Sequence, residues 1–192
     1  MKQLTRLLSI FLFVTLASAC SNTAEQENSD EIIQQNEELT TIYLVRHAEK
    51  DTTDASNEDP DLTEAGHARA EALRALLAEE EVHALYATKY VRTGQTLGPL
   101  SQERNIQVVQ YEGHDFHGLK ERLLREHRGQ TVVVAGHSNT LLPIIEAFGA
   151  EKPLAEIPDS AYSYLFKLLV DSEDNAKLEV QTFGVGAAVP AK

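Results

Sequence analysis

The chain has 192 residues, 42% of them hydrophobic and 6% aromatic with no Trp, which suits one domain with a core of Leu, Val, Ile and Ala. Its 30 acidic and 17 basic residues give a net charge of −13. That argues against a nucleic-acid partner, which needs a basic face, and the single Cys rules out an intramolecular disulfide or a multi-cysteine zinc site.

Residues 1–19 read as a secretory signal. Lys2 and Arg6 give a positive start, Leu7 to Leu16 an apolar run, and Ala17-Ser18-Ala19 a small-residue cleavage region. The run is shorter than the roughly 20 residues that span a bilayer. The only cysteine, Cys20, follows at once. Leu16-Ala17-Ser18-Ala19-Cys20 resembles a bacterial lipobox, although that motif prefers Leu one position nearer the Cys. Lipidation of Cys20 is therefore expected, the rival reading being an ordinary signal peptidase cut that leaves a free thiol. Ser21 points to outer-membrane retention facing the periplasm, by analogy with Gram-negative lipoproteins. Ser21 to Leu39 carries six acidic and no basic residues without periodicity, so residues 20–40 read as a lipid-bearing Cys and an acidic, disordered tether. The domain proper would span 41–192.

Within the domain, strands alternate with helices. Thr41 to Val45 is an apolar strand and Asp51 to Pro60 a polar loop; the acidic stretch Asp51 to Asp61 is expected to form part of the rim of a site and to disfavour highly anionic substrates. Thr63 caps an Ala- and Leu-rich helix. Val82 to Ala87, Ile106 to Tyr111 and Thr131 to Ala135 read as further strands. The intervening helices run from Tyr90 to Gln102, Leu119 to His127 and Thr140 to Phe148. Tyr162 to Val170 and Leu178 to Phe183 suggest a terminal hairpin. The alternation predicts an α/β fold: a three-layer sandwich with a mostly parallel sheet flanked by helices, and antiparallel strands at the C-terminal end.

Two strands end alike. Thr41–Val45 runs into Arg46-His47, and Thr131–Ala135 into Gly136-His137-Ser138-Asn139. In open α/β sheets the carboxyl edge is where ligands bind. A cation and two imidazoles there, with Arg92 in the first turn of a helix, describe a pocket for a phosphoryl group. Phosphoryl transfer needs a nucleophile, cationic clamps on the non-bridging oxygens and a proton for the leaving group. His47 is the candidate nucleophile. Arg46 and Arg92 are the candidate clamps, since a guanidinium binds two oxygens and stays charged. Ser138 and the amide of Asn139 could add donors. Lys50 reads equally as a contact to substrate phosphate or as a solvated loop lysine. His114 and His117 read as loop histidines with no third metal ligand at suitable spacing. His67, His83 and His127 read as solvated, and Arg69, Arg74, Arg104, Arg122, Arg125 and Arg128 as surface ion-pair residues.

At these positions the chain resembles the histidine phosphatase, or phosphoglycerate-mutase-like, superfamily. The motifs are Arg46-His47-Ala48-Glu49, then Asp61-Leu62-Thr63-Glu64-Ala65-Gly66, then Tyr86-Ala87-Thr88 with Arg92-Thr93-Gly94-Gln95-Thr96, and finally Gly136-His137-Ser138. Ala48 stands where many members have Gly, and Lys50 where the mutases have a small polar residue. The resemblance implies a metal- and cofactor-independent hydrolase working through phospho-His47, with protonated His137 donating to a phosphoryl oxygen. It also implies a carboxylic acid near the end of the third strand as proton donor; Glu112 is the first choice and Asp115 the second. The expected partners are a phosphorylated small molecule or phosphoprotein as substrate, and a membrane through the lipid anchor. The rival class is a non-catalytic phosphate-ligand or interaction lipoprotein with the same pocket.

Overall fold

A computed structural model describes residues 39–185. The expected signal segment, Cys20 and nearly all of the acidic tether lie outside the described residues. Among those that are described, no helix is long and apolar enough to cross a membrane.

Six strands and four helices alternate in chain order. They are β1 (Thr40–Arg46), α1 (Glu64–Leu76), β2 (Val82–Ala87), α2 (Val91–Arg104), β3 (Val108–Gln110), α3 (Phe116–Glu126), β4 (Thr131–Gly136), α4 (Leu141–Ala147), β5 (Tyr164–Val170) and β6 (Ala176–Thr182). The sheet order is β3-β2-β4-β1-β5-β6. The first four are mutually parallel; β5 pairs antiparallel with β1, and β6 with β5. This is the expected α/β architecture. The central strands β1 and β4 read as unbroken apolar runs because both of their faces are covered.

Alternate residues of each strand feed opposite cores. Ile42, Leu44, Val132 and Val134 pack beneath α3 and α4, against Leu123, Leu141 and Ile145. Tyr43, Val45, Val133 and Ala135 pack beneath α1 and α2, against Leu73, Leu97 and Leu100. Helices cover both faces, so the carboxyl edge of the sheet is left as the place for a site.

Helix starts are set locally. The Thr63 hydroxyl accepts from the Gly66 amide at 3.1 Å, capping α1 as expected. Gly66 is needed for a second reason: a Cβ there would collide with the Glu49 carbonyl oxygen. The start of α2 has no side-chain cap from its own N-cap residue, Tyr90. The third strand is shorter than read, Val108–Gln110, because only these residues pair with β2.

Candidate active site

Arg46 of β1 and Gly136 of β4 are register partners, so the next residue on each strand is a histidine. Parallel strands lie about 4.8 Å apart. The two imidazoles accordingly meet edge to face, with centroids 5.3 Å apart. The His47 amide donates to the Gly136 carbonyl at 2.9 Å, extending the ladder by one bond and holding both ends rigid.

The His47 ring is buried, and its Nδ1 lies 2.8 Å from the Ala48 carbonyl oxygen. A carbonyl only accepts, so Nδ1 carries the proton and Nε2 keeps its lone pair. The Ala48 amide in turn donates to Thr96 Oγ1 at 2.9 Å, holding the residue whose carbonyl orients the ring. His137 Nε2 lies 2.9 Å from Thr88 Oγ1, a hydroxyl able to donate or accept. Thr93 Oγ1, 3.1 Å from Thr88 Oγ1, and Thr140 Oγ1, which accepts from the His137 amide at 2.9 Å, complete its support. Gly136 is required here, because a Cβ would come within 2.9 Å of both the Thr140 and Tyr111 hydroxyl oxygens.

Both imidazoles are held neutral. Burial pushes His47 down to about 3, helped by the charges of Arg46 and Arg92 and opposed by its bond to Ala48. Burial also pushes His137 down to about 4, with Arg92, Arg46, His114 and Lys50 contributing in that order. Both guanidiniums therefore act on both rings, which places the four residues in one electrostatic site.

Each guanidinium is buried and anchored at one end. Arg46 Nη1 donates to the carbonyls of Pro158, Asp159 and Ala161 at 3.0, 2.9 and 3.2 Å, and its guanidinium carbon lies 4.3 Å from the Tyr162 ring centre. Arg92 sits 4.2 Å from the Tyr90 ring centre, and its Nη1 donates to Asp59 at 3.3 Å. The Nε of each arginine is buried without a protein partner. Orphaned buried donors are uncommon and costly. The third such atom, Arg104 Nε, has the Glu103 carboxylate 3.8 Å away, whereas these two belong to the side chains whose charges act on both imidazoles.

The other sequence candidates are placed unevenly. Glu112 is exposed and lines a cavity of about 150 Å³ with His137, Thr88, Lys89, Tyr90 and His114. Asp115 caps α3, accepting from the Gly118 amide at 2.9 Å, and faces an adjoining cavity of about 300 Å³ that shares Tyr111 and Glu112. Its carboxylate is thus already engaged. Lys50 follows the His47 turn and bridges to Leu62. Ser138 and Asn139 form the turn between His137 and α4, and no hydrogen bond joins their side chains to the other site residues. Cys20 lies outside the described residues. No group of three or more His, Cys, Asp or Glu among the described residues is placed to hold a metal ion.

Several contacts that support the site were not legible in the sequence. Thr88, Tyr90 and Tyr162 hold His137, Arg92 and Arg46, and Asp59 takes the α2 N-terminus, accepting from the Val91 amide at 3.0 Å. Asp59 is the only acid of the Asp51–Pro60 loop that touches a clamp residue. Asp51 and Asp54 turn back on the amides of Thr53 and Ser56, which keeps their exposed carboxylates charged. Two readings are corrected. Arg69 is not on the surface: it is buried, chelates Glu49 with Nη2 at 2.7 Å and Nε at 3.0 Å, and reaches the Phe183 carbonyl. His127 is half-buried rather than solvated, its Nε2 lying 2.9 Å from the Tyr86 hydroxyl. Its place at the end of α3, over the Tyr86 ring, makes it a packing residue.

Comparison with known proteins agrees with this geometry. A family model for the histidine phosphatase superfamily (branch 1) matches residues 42–115, the stretch holding His47, Arg92 and Glu112. Comparison of the sequence with curated proteins gave no match. Among solved structures, the protein histidine phosphatase SixA in complex with tungstate is similar with a TM-score of 0.62 at 16% identity, over 74% of this chain and 96% of that one. YhfR of Bacillus stearothermophilus gives 0.59 at 20% identity, over 77% and 96%. A mycobacterial glucosyl-3-phosphoglycerate phosphatase gives 0.59 at 12% identity, over 75% and 98%. The family resemblance carried by the motifs is thus borne out, and these structures share the fold.

Proposed function

We propose that this chain, of the histidine phosphatase superfamily, is a metal-independent phosphatase that hydrolyses phosphomonoesters or phosphoprotein groups in two steps through phospho-His47. The family match and the phosphatases among its structural neighbours support phosphatase chemistry in general. The observation that carries the finer reading is the fixed tautomer of His47. Its Nδ1–H is committed to Ala48, leaving Nε2 unprotonated on a ring that feels the charges of Arg46 and Arg92, two buried arginines whose Nε–H groups lack protein acceptors.

In the first step Nε2 attacks phosphorus in line and the bond to the leaving oxygen breaks. Arg46, Arg92 and His137 bind the non-bridging oxygens, where charge spreads in the transition state. Glu112 is the acid at the cavity mouth and gives its proton to the leaving oxygen. In the second step the Glu112 carboxylate takes a proton from water, whose oxygen attacks the phosphohistidine and releases phosphate and free His47. An anion in the clamp would favour the imidazolium of His137, so binding should take up a proton there.

Glu112→Gln tests the assignment. Alkyl phosphates should slow by about 10²–10⁴-fold, the range of general acid catalysis, and aryl phosphates far less, since an aryl oxide leaves without a proton. An equal fall for both would remove Glu112 from the role. Wild-type turnover should persist in EDTA. The same proposal places the domain at a membrane outside the cytoplasm, tethered through acylated Cys20. Mass spectrometry of the mature N-terminus tests that; an unmodified Cys20 in freely soluble protein would end it.

A further inference from the structure

In a chain with a net charge of −13, most basic side chains of the described residues have a carboxylate within 4 Å. Lys89 is an exception, and it stands at the mouth of the candidate site. Its Nζ lies 5.6 Å from the Tyr90 ring centre. That ring is fixed in turn, edge-on to His137 at 5.2 Å and 4.2 Å from the Arg92 guanidinium carbon. The ammonium is therefore held one aromatic ring away from both the second histidine and a phosphate clamp. His114 lines the same cavity from the opposite loop, after Glu112 and Gly113. The phosphoryl clamp itself does not use this pair. Arg46 and Arg92 already supply two charges, each partly offset by a carboxylate, Asp159 at 3.6 Å and Asp59 at 3.3 Å.

We propose that Lys89 and His114 form an outer anion subsite, so that the preferred substrate carries a second anionic group, a carboxylate or another phosphate, on its leaving group. The inference rests on the phosphatase reading and deepens it. The placement suits that side of the reaction because the cavity holds Glu112, the acid assigned to the leaving oxygen, beside Lys89 and His114. A leaving group that passes Glu112 meets both bases within the same 150 Å³. An unpaired ammonium at a partly enclosed mouth gains a charge-assisted hydrogen bond when an anion arrives, without first breaking one. No acidic side chain other than Glu112 lines this cavity to oppose the anion.

Three substrates that share a two-carbon leaving group separate the possibilities: ethyl phosphate, phosphoglycolate and ethylene glycol bisphosphate. Wild-type kcat/KM should favour at least one of the charged pair over ethyl phosphate by about tenfold, mainly through KM. Whichever is favoured identifies carboxylate or phosphate as the group read. Lys89→Gln should erase that preference while leaving ethyl phosphate turnover unchanged, Lys89→Arg should retain most of it, and Lys89→Glu should reverse it. Turnover of ethyl phosphate equal to that of both charged substrates would overturn the subsite alone. So would a Lys89→Gln variant that slows all three alike. Absence of turnover on every substrate, with no label on His47, would overturn the phosphatase reading and the subsite with it.

Discussion

The two histidines of the site occupy equivalent places, one residue beyond in-register strand ends, yet the engaged ring nitrogen of each meets a different kind of partner. His47 gives Nδ1–H to a backbone carbonyl, which can never donate. His137 contacts a threonine hydroxyl, which can do either. The first partner fixes one tautomer and keeps the same nitrogen free at all times, as a nucleophile requires. The second tolerates both the neutral ring and the imidazolium, as a group that gains a proton with the bound phosphate requires. Near-symmetric strand ends thus become two chemical roles through what lies beside each ring.

The comparison can be broken first at His47. Substitution to Ala should bring turnover below detection while the protein stays folded, because the ring lies past the strand end and the apolar cores beneath it are untouched. Residual activity near that of wild type would end the assignment. His137→Ala should cost about 10²–10³ in kcat, the scale of one transition-state donor, with label still reaching His47 on long incubation. If the two variants lose activity equally and neither takes label, the roles are not separable in the way the hydrogen bonds suggest. Thr88→Val sharpens the difference: it removes the adaptable partner of His137 and should lower kcat by about tenfold, while leaving the phosphohistidine site unaltered.

The smallest effect is on stability. His47 and His137 are pushed to about 3 and about 4, from an ordinary 6.5. Between those values the unfolded chain binds more protons than the folded one. Stability should therefore be full above pH 6.5 and decline as pH falls through 6.5 toward 4 and then 3. Urea denaturation at pH 7.5 and 5.0 measures this. His137→Gln should flatten part of the slope, and a slope unchanged in that variant would mean that other groups carry it.

Much of this was legible in the sequence, for physical reasons. Apolar runs ending in Arg-His and Gly-His announce two covered strands and polar groups at their carboxyl edge, and hydrophobic patterning recovered all ten described elements to within a few residues. What sequence could not supply was register and long-range capping. That His47 and His137 are neighbours depends on β1 pairing with β4, strands whose ends lie some 90 positions apart. Asp59 at the start of α2, and Tyr162 over Arg46, are contacts across 32 and 116 positions that no local spacing encodes. Arg69 was misread because a helix-face arginine looks exposed until its carboxylate, Glu49, and the chain after β6 are seen to close over it. Asp115 and Glu112 looked alike as loop acids. Only the structure shows that one caps a helix while the other faces the cavity beside His137.

The central claim is covalent phosphoryl transfer to one nitrogen. Rapid alkaline quench of the wild type during turnover of a ³²P-labelled phosphomonoester, followed by peptide mapping, addresses it directly. The account predicts acid-labile, alkali-stable label on the peptide containing His47, absent from His47→Ala and formed at a rate no slower than turnover. Turnover without such label, or label on another residue, would contradict it.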